Sequence, residues 1–264
     1  DRLEHLPTGA FRYRFEAFLK LALPVLNGWN MALSLEKGID FEDMINMAAE
    51  VLERGHPSPY SLVMADEYQD ASRARARLCR ALVAEPGRHL FAVGDDWQSI
   101  NRFAGADISV MTGFREWFGH GQIYRLETTF RCPQEICDVS SRFVSKNPSQ
   151  LAKRVKSVTP ALEVPIQAFQ VPSRNEIQGA INHYLSELHA RLTEGAVPLG
   201  NSGKVTVFIL GRYRNDRQYI PEYWQQDFGD LLDVKFKTIH TSKGDEAEYV
   251  VLPGMVSRGF PSIK

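Results

Sequence analysis

Ser61-Leu62-Val63-Met64-Ala65-Asp66-Glu67-Tyr68-Gln69-Asp70 decides the fold, because a strand-like apolar run breaks there directly into an acidic cluster. Apolar residues that carry carboxylates to the end of a buried strand put negative charge where a magnesium ion and an attacking water can be held. Taken alone, paired acids after a strand are more often a turn or a helix cap. A second turn reverses those odds. His89-Leu90-Phe91-Ala92-Val93 again reads as a short buried strand and runs into Gly94-Asp95-Asp96-Trp97-Gln98-Ser99-Ile100. Between the two lie residues 71–84, rich in Ala, Leu and Arg, with Leu78, Leu82 and Val83 at helical spacing and Pro86-Gly87 as a stop. Strand, helix, strand is a parallel unit, and ligands of such sheets sit outside the carboxyl ends of the strands. Both acidic turns are therefore expected on one edge of one sheet. A glutamine there reaches a terminal phosphate and changes partners once that phosphate is gone, so the expected chemistry is nucleotide hydrolysis.

These two turns, in this order, resemble the second and third motifs of the UvrD/Rep family of superfamily 1 DNA helicases. Downstream, Leu126-Glu127-Thr128-Thr129-Phe130-Arg131 resembles the fourth motif, and Thr238-Ile239-His240-Thr241-Ser242-Lys243-Gly244-Asp245-Glu246 the fifth. Each motif alone is moderately specific; four in order are far more so. The resemblance implies ATP and Mg²⁺, with Asp66 holding the metal through its water shell and Glu67 orienting and deprotonating the attacking water. It implies that Gln98 reads the γ-phosphate and that Arg131 is the arginine finger, meeting the carboxylates of 66 and 67 at one triphosphate. Phe130 stands where the family usually has a tyrosine that stacks on adenine. Gly244 and Glu246 fall in the nucleotide-binding part of the fifth motif, Glu246 at the ribose. Thr238 and His240 are implied contacts to DNA phosphates.

At the third-motif positions that meet single-stranded DNA, Asn101 replaces a tyrosine, and Phe103 keeps an aromatic ring able to stack on a base. Each such stack is worth about 1–3 kcal/mol. Losing one should weaken the grip on DNA without abolishing it. Ala104 occupies a position often filled by arginine. A phosphate-cradling loop of the form G-x-x-x-x-G-K-[ST] is nowhere in these residues. Gly200-Asn201-Ser202-Gly203-Lys204-Val205 imitates it, but lacks the hydroxyl after the lysine and precedes a strand, so it reads as a turn. The sixth motif, which supplies a second arginine, is also missing, the chain stopping soon after Arg258-Gly259-Phe260-Pro261. The chain begins with Asp1 and reads as part of a longer helicase, containing the latter part of the first motor domain and most of the second; alone it is expected to lack ATPase activity.

The expected fold class is α/β, with two RecA-like (P-loop NTPase type) parallel-sheet lobes, the first incomplete, and an N-terminal helical segment. Residues 1–60 read as the helical part of the first motor domain, 61–121 as its partial core, and 122–264 as the second motor domain. Phe11, Phe15, Phe18 and Ala22 mark one helix, broken at Pro24; residues 41–53 mark another, capped by Asp40 and stopped by Gly55. Residues 122–126 are read as a strand opening the second lobe, and Pro133 starts a helix through Val144. Residues 165–171, 204–210, 234–239 and 248–255 read as further strands. Ser173 and Glu176 form a capping box before a helix with Ile177, Ile181, Leu185, Leu188 and Leu192 on one face. Only about 109 residues separate Arg131 from His240, where larger relatives insert a whole extra domain. That length is expected of a helicase IV-type member, or of one with the insertion deleted.

With 264 residues and 44% hydrophobic content the chain suffices for one large or two ordinary domains. No apolar run reaches the roughly 18 residues of a membrane span. Cys79, Cys132 and Cys137 have no metal-ligand spacing and leave an odd thiol, which fits a reducing cytoplasm. A net charge of -1 leaves nucleic-acid binding to local patches. Arg73, Arg75, Arg77 and Arg80 read as a solvated face, and His183 and His189 as surface or packing residues. The expected partners are single-stranded DNA, duplex junctions and ATP, with no membrane, and protein partners are not legible. The family resemblance implies 3′ to 5′ movement in DNA repair or recombination. Two rivals are a non-catalytic DNA-binding or interaction module on a degenerate helicase fold, and a magnesium-dependent nuclease built on Asp66, Glu67, Asp95 and Asp96.

Overall fold

The structure is a computed structural model, and it describes residues 10–148, 150–162, 164–200 and 202–255. Asn201 and the 258–261 stretch lie outside the described residues, as does the side chain of Phe11. The chain divides into two compact units, Asp1–Ile123 and Tyr124–Lys264.

In the first unit, helix α1 (Ala10–Glu36) runs straight through Pro24, where a break was expected. Proline removes one backbone bond and crowds the preceding turn, but good helix formers such as Leu19, Lys20, Ala32 and Leu33 continue the ladder on both sides. Helix α2 (Phe41–Glu53) begins at Asp40, whose carboxylate accepts the Asp43 N–H at 2.8 Å while the Asp43 carboxylate accepts the Asp40 N–H at 3.3 Å. These reciprocal bonds satisfy two otherwise orphaned donors. Gly55, at φ 96°, ends the helix as expected.

Strand β1 (Leu62–Ala65) and strand β2 (His89–Ala92) pair in parallel, Leu62 opposite His89 and Ala65 opposite Ala92. Helix α3 (Arg73–Leu82) lies between them in sequence, capped by Ser72 and packed on α2. Short helices α4 (Ser109–Thr112) and α5 (Phe114–Phe118) complete the unit. The core gathers under the first acidic turn: Tyr68, Ala71, Ala76 and Val110, with Ala65, Ala92, Phe114, Trp117 and Phe118 against them. The expectation that both strands are buried is corrected here. Val63 and Ala65 point to the covered face, whereas Leu62, Met64 and Phe91 are exposed. Successive strand residues face opposite ways, and among the described residues only one face of this two-stranded sheet is packed.

The arginine run of α3 is also more engaged than a solvated face. Arg77 makes a forked pair with Glu53 of α2 (2.9 and 2.5 Å), Arg73 bonds Asp107 at 2.7 Å, and Arg75 donates to the Asp70 carbonyl at 3.4 Å. These groups tie α3 to its neighbours. The Arg77 bonds hold the Glu53 carboxyl below its usual range.

Residues 122–126, where the first unit gives way to the second along the chain, form no strand. Tyr124 and Leu126 are almost fully exposed, and pairing begins only at β3 (Thr128–Thr129) with β4 (Lys156–Ser157). A β-prone run stays irregular where no neighbouring strand receives its N–H and C=O groups. The same holds for residues 165–171, where Ile166 and Phe169 are exposed and no strand forms. Helix α6 (Gln134–Val144) follows Pro133 as expected. Helix α7 (Ile177–Thr193) buries Ile177, Ile181, Leu185, Leu188 and Leu192, the predicted face. Its start differs from a capping box: the Ser173 hydroxyl bonds the Glu176 carboxylate directly at 3.2 Å, and a 3-10 turn at Arg174–Glu176 precedes the helix.

That apolar face packs on the sheet formed by β5 (Val205–Gly211), β6 (Leu232–Thr238) and β7 (Tyr249–Val251), all parallel in the order β6-β5-β7. Central β5 reads as a nearly continuous apolar run, as parallel strands do. Strand β7 is shorter than the expected 248–255, because Pro253-Gly254 turns the chain away, Gly254 at φ 69°. Helix α8 (Trp224–Phe228) adds Phe228 to the same core.

Candidate functional site

At the carboxyl end of β1 the backbone does something unusual. Glu67 sits at φ 49°, ψ 40°, a left-handed conformation that a residue bearing a Cβ adopts rarely. The cause lies on either side of it. Tyr68 must turn inward, where its ring meets Phe114 edge-on at 6.0 Å and Phe118 at 6.2 Å, and its backbone N–H bonds the Val93 carbonyl at 2.9 Å. Asp66 then turns its Oδ1 onto the Glu67 N–H at 2.8 Å. Such strain amounts to about 1–3 kcal/mol and persists only where the surroundings over-determine it. Both carboxylates are left exposed to solvent.

The second turn is locked onto the first. Gln69 is only 1% exposed; its Nε2 donates to Glu67 Oε2 at 2.5 Å and its Oε1 accepts the Asp95 N–H at 2.9 Å. The Ser99 hydroxyl donates to the Gln69 carbonyl at 3.3 Å. Asp95 in turn caps its own turn, accepting from the Trp97 N–H at 3.0 Å and from the Gln98 side-chain amide at 2.8 Å. Asn101 donates to the Asp70 carboxylate at 3.0 Å. Gly94 permits this closeness: a Cβ there would stand 2.7 Å from Gln69 Oε1. Asp66, Glu67, Gln98 and Asn101 are thus brought together on one edge of the sheet. Phe103 is 76% exposed in a 3-10 turn at Arg102–Ala104.

In the second unit the loop from β3 to α6 is pinned from several sides. Gln134 accepts the Ser157 N–H and donates to the Val155 carbonyl, while Thr159 donates to the Phe130 carbonyl at 3.1 Å and Ser157 to that of Cys132 at 2.6 Å. Phe130 is left exposed, and Arg131 reaches Glu246, its Nε 3.0 Å from the carboxylate. The turn after β6 is closed by Thr238 and Thr241 bonding each other through hydroxyls and N–H groups, and by Lys237 bonding Asp245 at 2.6 Å. Gly244 takes φ 85° and His240 is exposed.

Sequence reading singled out neither Gln69 as a contact of Glu67 nor the pocket at the carboxyl ends of β5 and β7. That pocket is lined by Arg174, Arg212, Tyr213, Asp216 and Tyr219 among others, and contains none of the anticipated nucleotide or DNA residues. Its one sequence signal is position: the carboxyl edge of a parallel sheet. Among the described residues no group of three or more His, Cys, Asp or Glu side chains forms a metal cluster, and no helix is long and apolar enough to cross a membrane.

Small parallel sheets flanked by helices, with acidic turns at a carboxyl edge, define an α/β protein. Residues 11–119 match the UvrD/REP helicase N-terminal domain. DNA helicase IV of Escherichia coli is 37% identical over 256 residues, covering 94% of this chain and 34% of that protein. ATP-dependent DNA helicase PcrA of Staphylococcus epidermidis is 27% identical over 140 residues (51% of this chain, 19% of that protein), and PcrA of Staphylococcus aureus is 26% identical over 153 residues (56% and 21%). The chain belongs to the UvrD/Rep helicase family. It spans about a third or less of the length of these curated relatives.

Proposed function

We propose that this chain works within a longer ATP-dependent DNA helicase, which couples ATP hydrolysis to 3′ to 5′ movement on single-stranded DNA and to duplex unwinding, in DNA repair or recombination. The family match and the helicase names of the relatives support this reading. The observation that carries it is the join of the two acidic turns, which sets Glu67 and Gln98 on one strained, cross-bonded edge. In this proposal two RecA-like lobes carry the chemistry, the phosphate-cradling loop being supplied from outside these residues.

The site fits a hydrated Mg²⁺. Asp66 is an exposed carboxylate at a strand end with one oxygen engaged by a backbone N–H, which leaves the other oxygen to the metal's water shell. When bound, the ion neutralises charge on the phosphates of ATP. Glu67 accepts the proton of the attacking water, and Gln98 leaves Asp95 to bond the γ-phosphate. Arg131 stabilises charge on the transferred phosphoryl group, Phe130 stacks on the base, and Glu246, with Gly244 beside it, meets the ribose. Arg131 and Glu246 pair with each other in the structure, an exposed ion pair worth at most about 1 kcal/mol and easily exchanged. Phe103, Asn101, Thr238 and His240 are the proposed DNA contacts, Phe103 being 76% exposed.

Glu67→Gln in the full-length helicase tests this. General-base catalysis contributes about 10²–10⁴-fold, so DNA-stimulated turnover should fall by that factor while ATP binding persists. Unchanged turnover removes Glu67 from the base role.

A further inference from the structure

Gln69 is a buried amide with every polar atom of its side chain committed. The Asp95 N–H, 2.9 Å from Oε1, can only donate, so it fixes which end of the amide is oxygen. The Nε2 end must then face Glu67 Oε2, and it does, at 2.5 Å. From Asp95 the line continues through Oδ2 to the side-chain amide of Gln98 at 2.8 Å. Glu67, Gln69, Asp95 and Gln98 therefore form one unbroken hydrogen-bonded series, with its second link sealed from water and braced by Gly94.

We propose that Gln69 is a positioning residue: it aims the carboxylate of Glu67 and makes that aim depend on where the side chain of Gln98 is bonded. This rests on reading Glu67 as the base and Gln98 as the phosphate reader. A plain structural brace would need only the Asp95 bond. The Glu67 bond instead spends a buried, charge-assisted donor on an otherwise exposed carboxylate in a strained backbone. Holding Oε2 of Glu67 fixes the direction in which the carboxylate meets the attacking water. When Gln98 turns to a phosphate, its bond to Asp95 is given up, and the shift passes through the Asp95 N–H to Gln69 and on to Glu67. Misplacing a reacting group by 1 Å costs on the order of 10²-fold in rate, so a small movement suffices to gate turnover.

Gln69→Glu in the full-length helicase is the informative variant. It keeps the shape and the acceptor for the Asp95 N–H, and replaces the donor to Glu67 by a like charge. The other carboxylates of the two turns are Asp66, Asp70, Asp95 and Asp96, and Arg75 donates to the Asp70 carbonyl. So acidic a setting favours protonation of the introduced carboxyl as pH falls, and a protonated carboxyl is again a donor. We expect kcat to fall roughly 10–100-fold near pH 8, from that positional sensitivity, with KM for ATP little changed and with recovery toward the parent enzyme near pH 6. A drop that is flat with pH, or no drop, overturns the proposal. Urea unfolding of the 264-residue chain gives a readout independent of turnover. The double variant Glu67→Gln/Gln69→Glu restores a donor facing an acceptor, so it should regain most of the midpoint lost in Gln69→Glu alone. Additive losses refute the pairing. If instead Glu67→Gln leaves turnover intact, the base assignment fails, whatever Gln69 does.

Discussion

Gly94→Ala should destabilise the first unit, and the structure sets the size of the effect. The new Cβ would stand 2.7 Å from Gln69 Oε1, 3.0 Å from the Gln69 nitrogen and 3.1 Å from the Tyr68 nitrogen, all inside ordinary van der Waals contact. None of the three can yield cheaply. Gln69 Oε1 holds the Asp95 N–H in a site that is 1% exposed, and the Tyr68 nitrogen is bonded to the Val93 carbonyl at 2.9 Å. Overpacking of this kind costs about 1–3 kcal/mol. With a urea slope of about 2 kcal/mol/M, the unfolding midpoint of the first unit should drop by roughly 1 M. Gly28→Ala provides the contrast. It lies inside α1 with nothing within 4 Å of its would-be Cβ, and should gain about 0.5–1 kcal/mol of helix stability. Urea unfolding followed by tryptophan fluorescence measures both, and hydrogen exchange of the Asp95 amide reports the local loosening. An unchanged or raised midpoint for Gly94→Ala, with the Asp95 amide still protected, would show that the two turns are not packed as described.

Tyr68→Phe should be neutral or stabilising by up to about 1 kcal/mol, since the buried Tyr68 hydroxyl has no hydrogen-bond partner among the described residues. A loss of more than that in denaturant unfolding would reveal a partner. Burial also pushes the Tyr68 hydroxyl pKa up, so the ring stays neutral across the working range. Acid should loosen the first unit. The Arg77 bonds hold Glu53 below its usual 4.5. Burial pushes Asp107 up, but bonds from Ser109 and Arg73 outweigh it and leave the carboxyl below 3.8. A carboxyl depressed by folding contributes stability in full above its unfolded pKa and loses it as pH falls through the folded one. The urea midpoint should therefore hold from neutrality down to about pH 5 and fall below about pH 4, and Glu53→Gln should flatten part of that fall.

Local chemistry was enough to reveal the acidic turns, the parallel pairing of 62–65 with 89–92, the capped start of α2 and the buried face of α7. Each depends on neighbours in sequence: alternation along a strand, 3.6-residue spacing along a helix, a side chain reaching its own backbone. What sequence could not determine was every question of who sits opposite. Residues 122–126 and 165–171 have strand composition and find no partner strand among the described residues, so they stay irregular. The strand character of β1 and β2 says nothing of whether both faces are covered. Arg131 stood out only through the family resemblance, as the implied arginine finger, and its bond to Glu246 spans 115 positions of chain. Gln69 stood in the quoted motif, yet its work comes from Asp95, 26 residues away. Hydrogen bonds act over about 3 Å whatever the separation along the chain, and only the tertiary structure brings such groups within that distance.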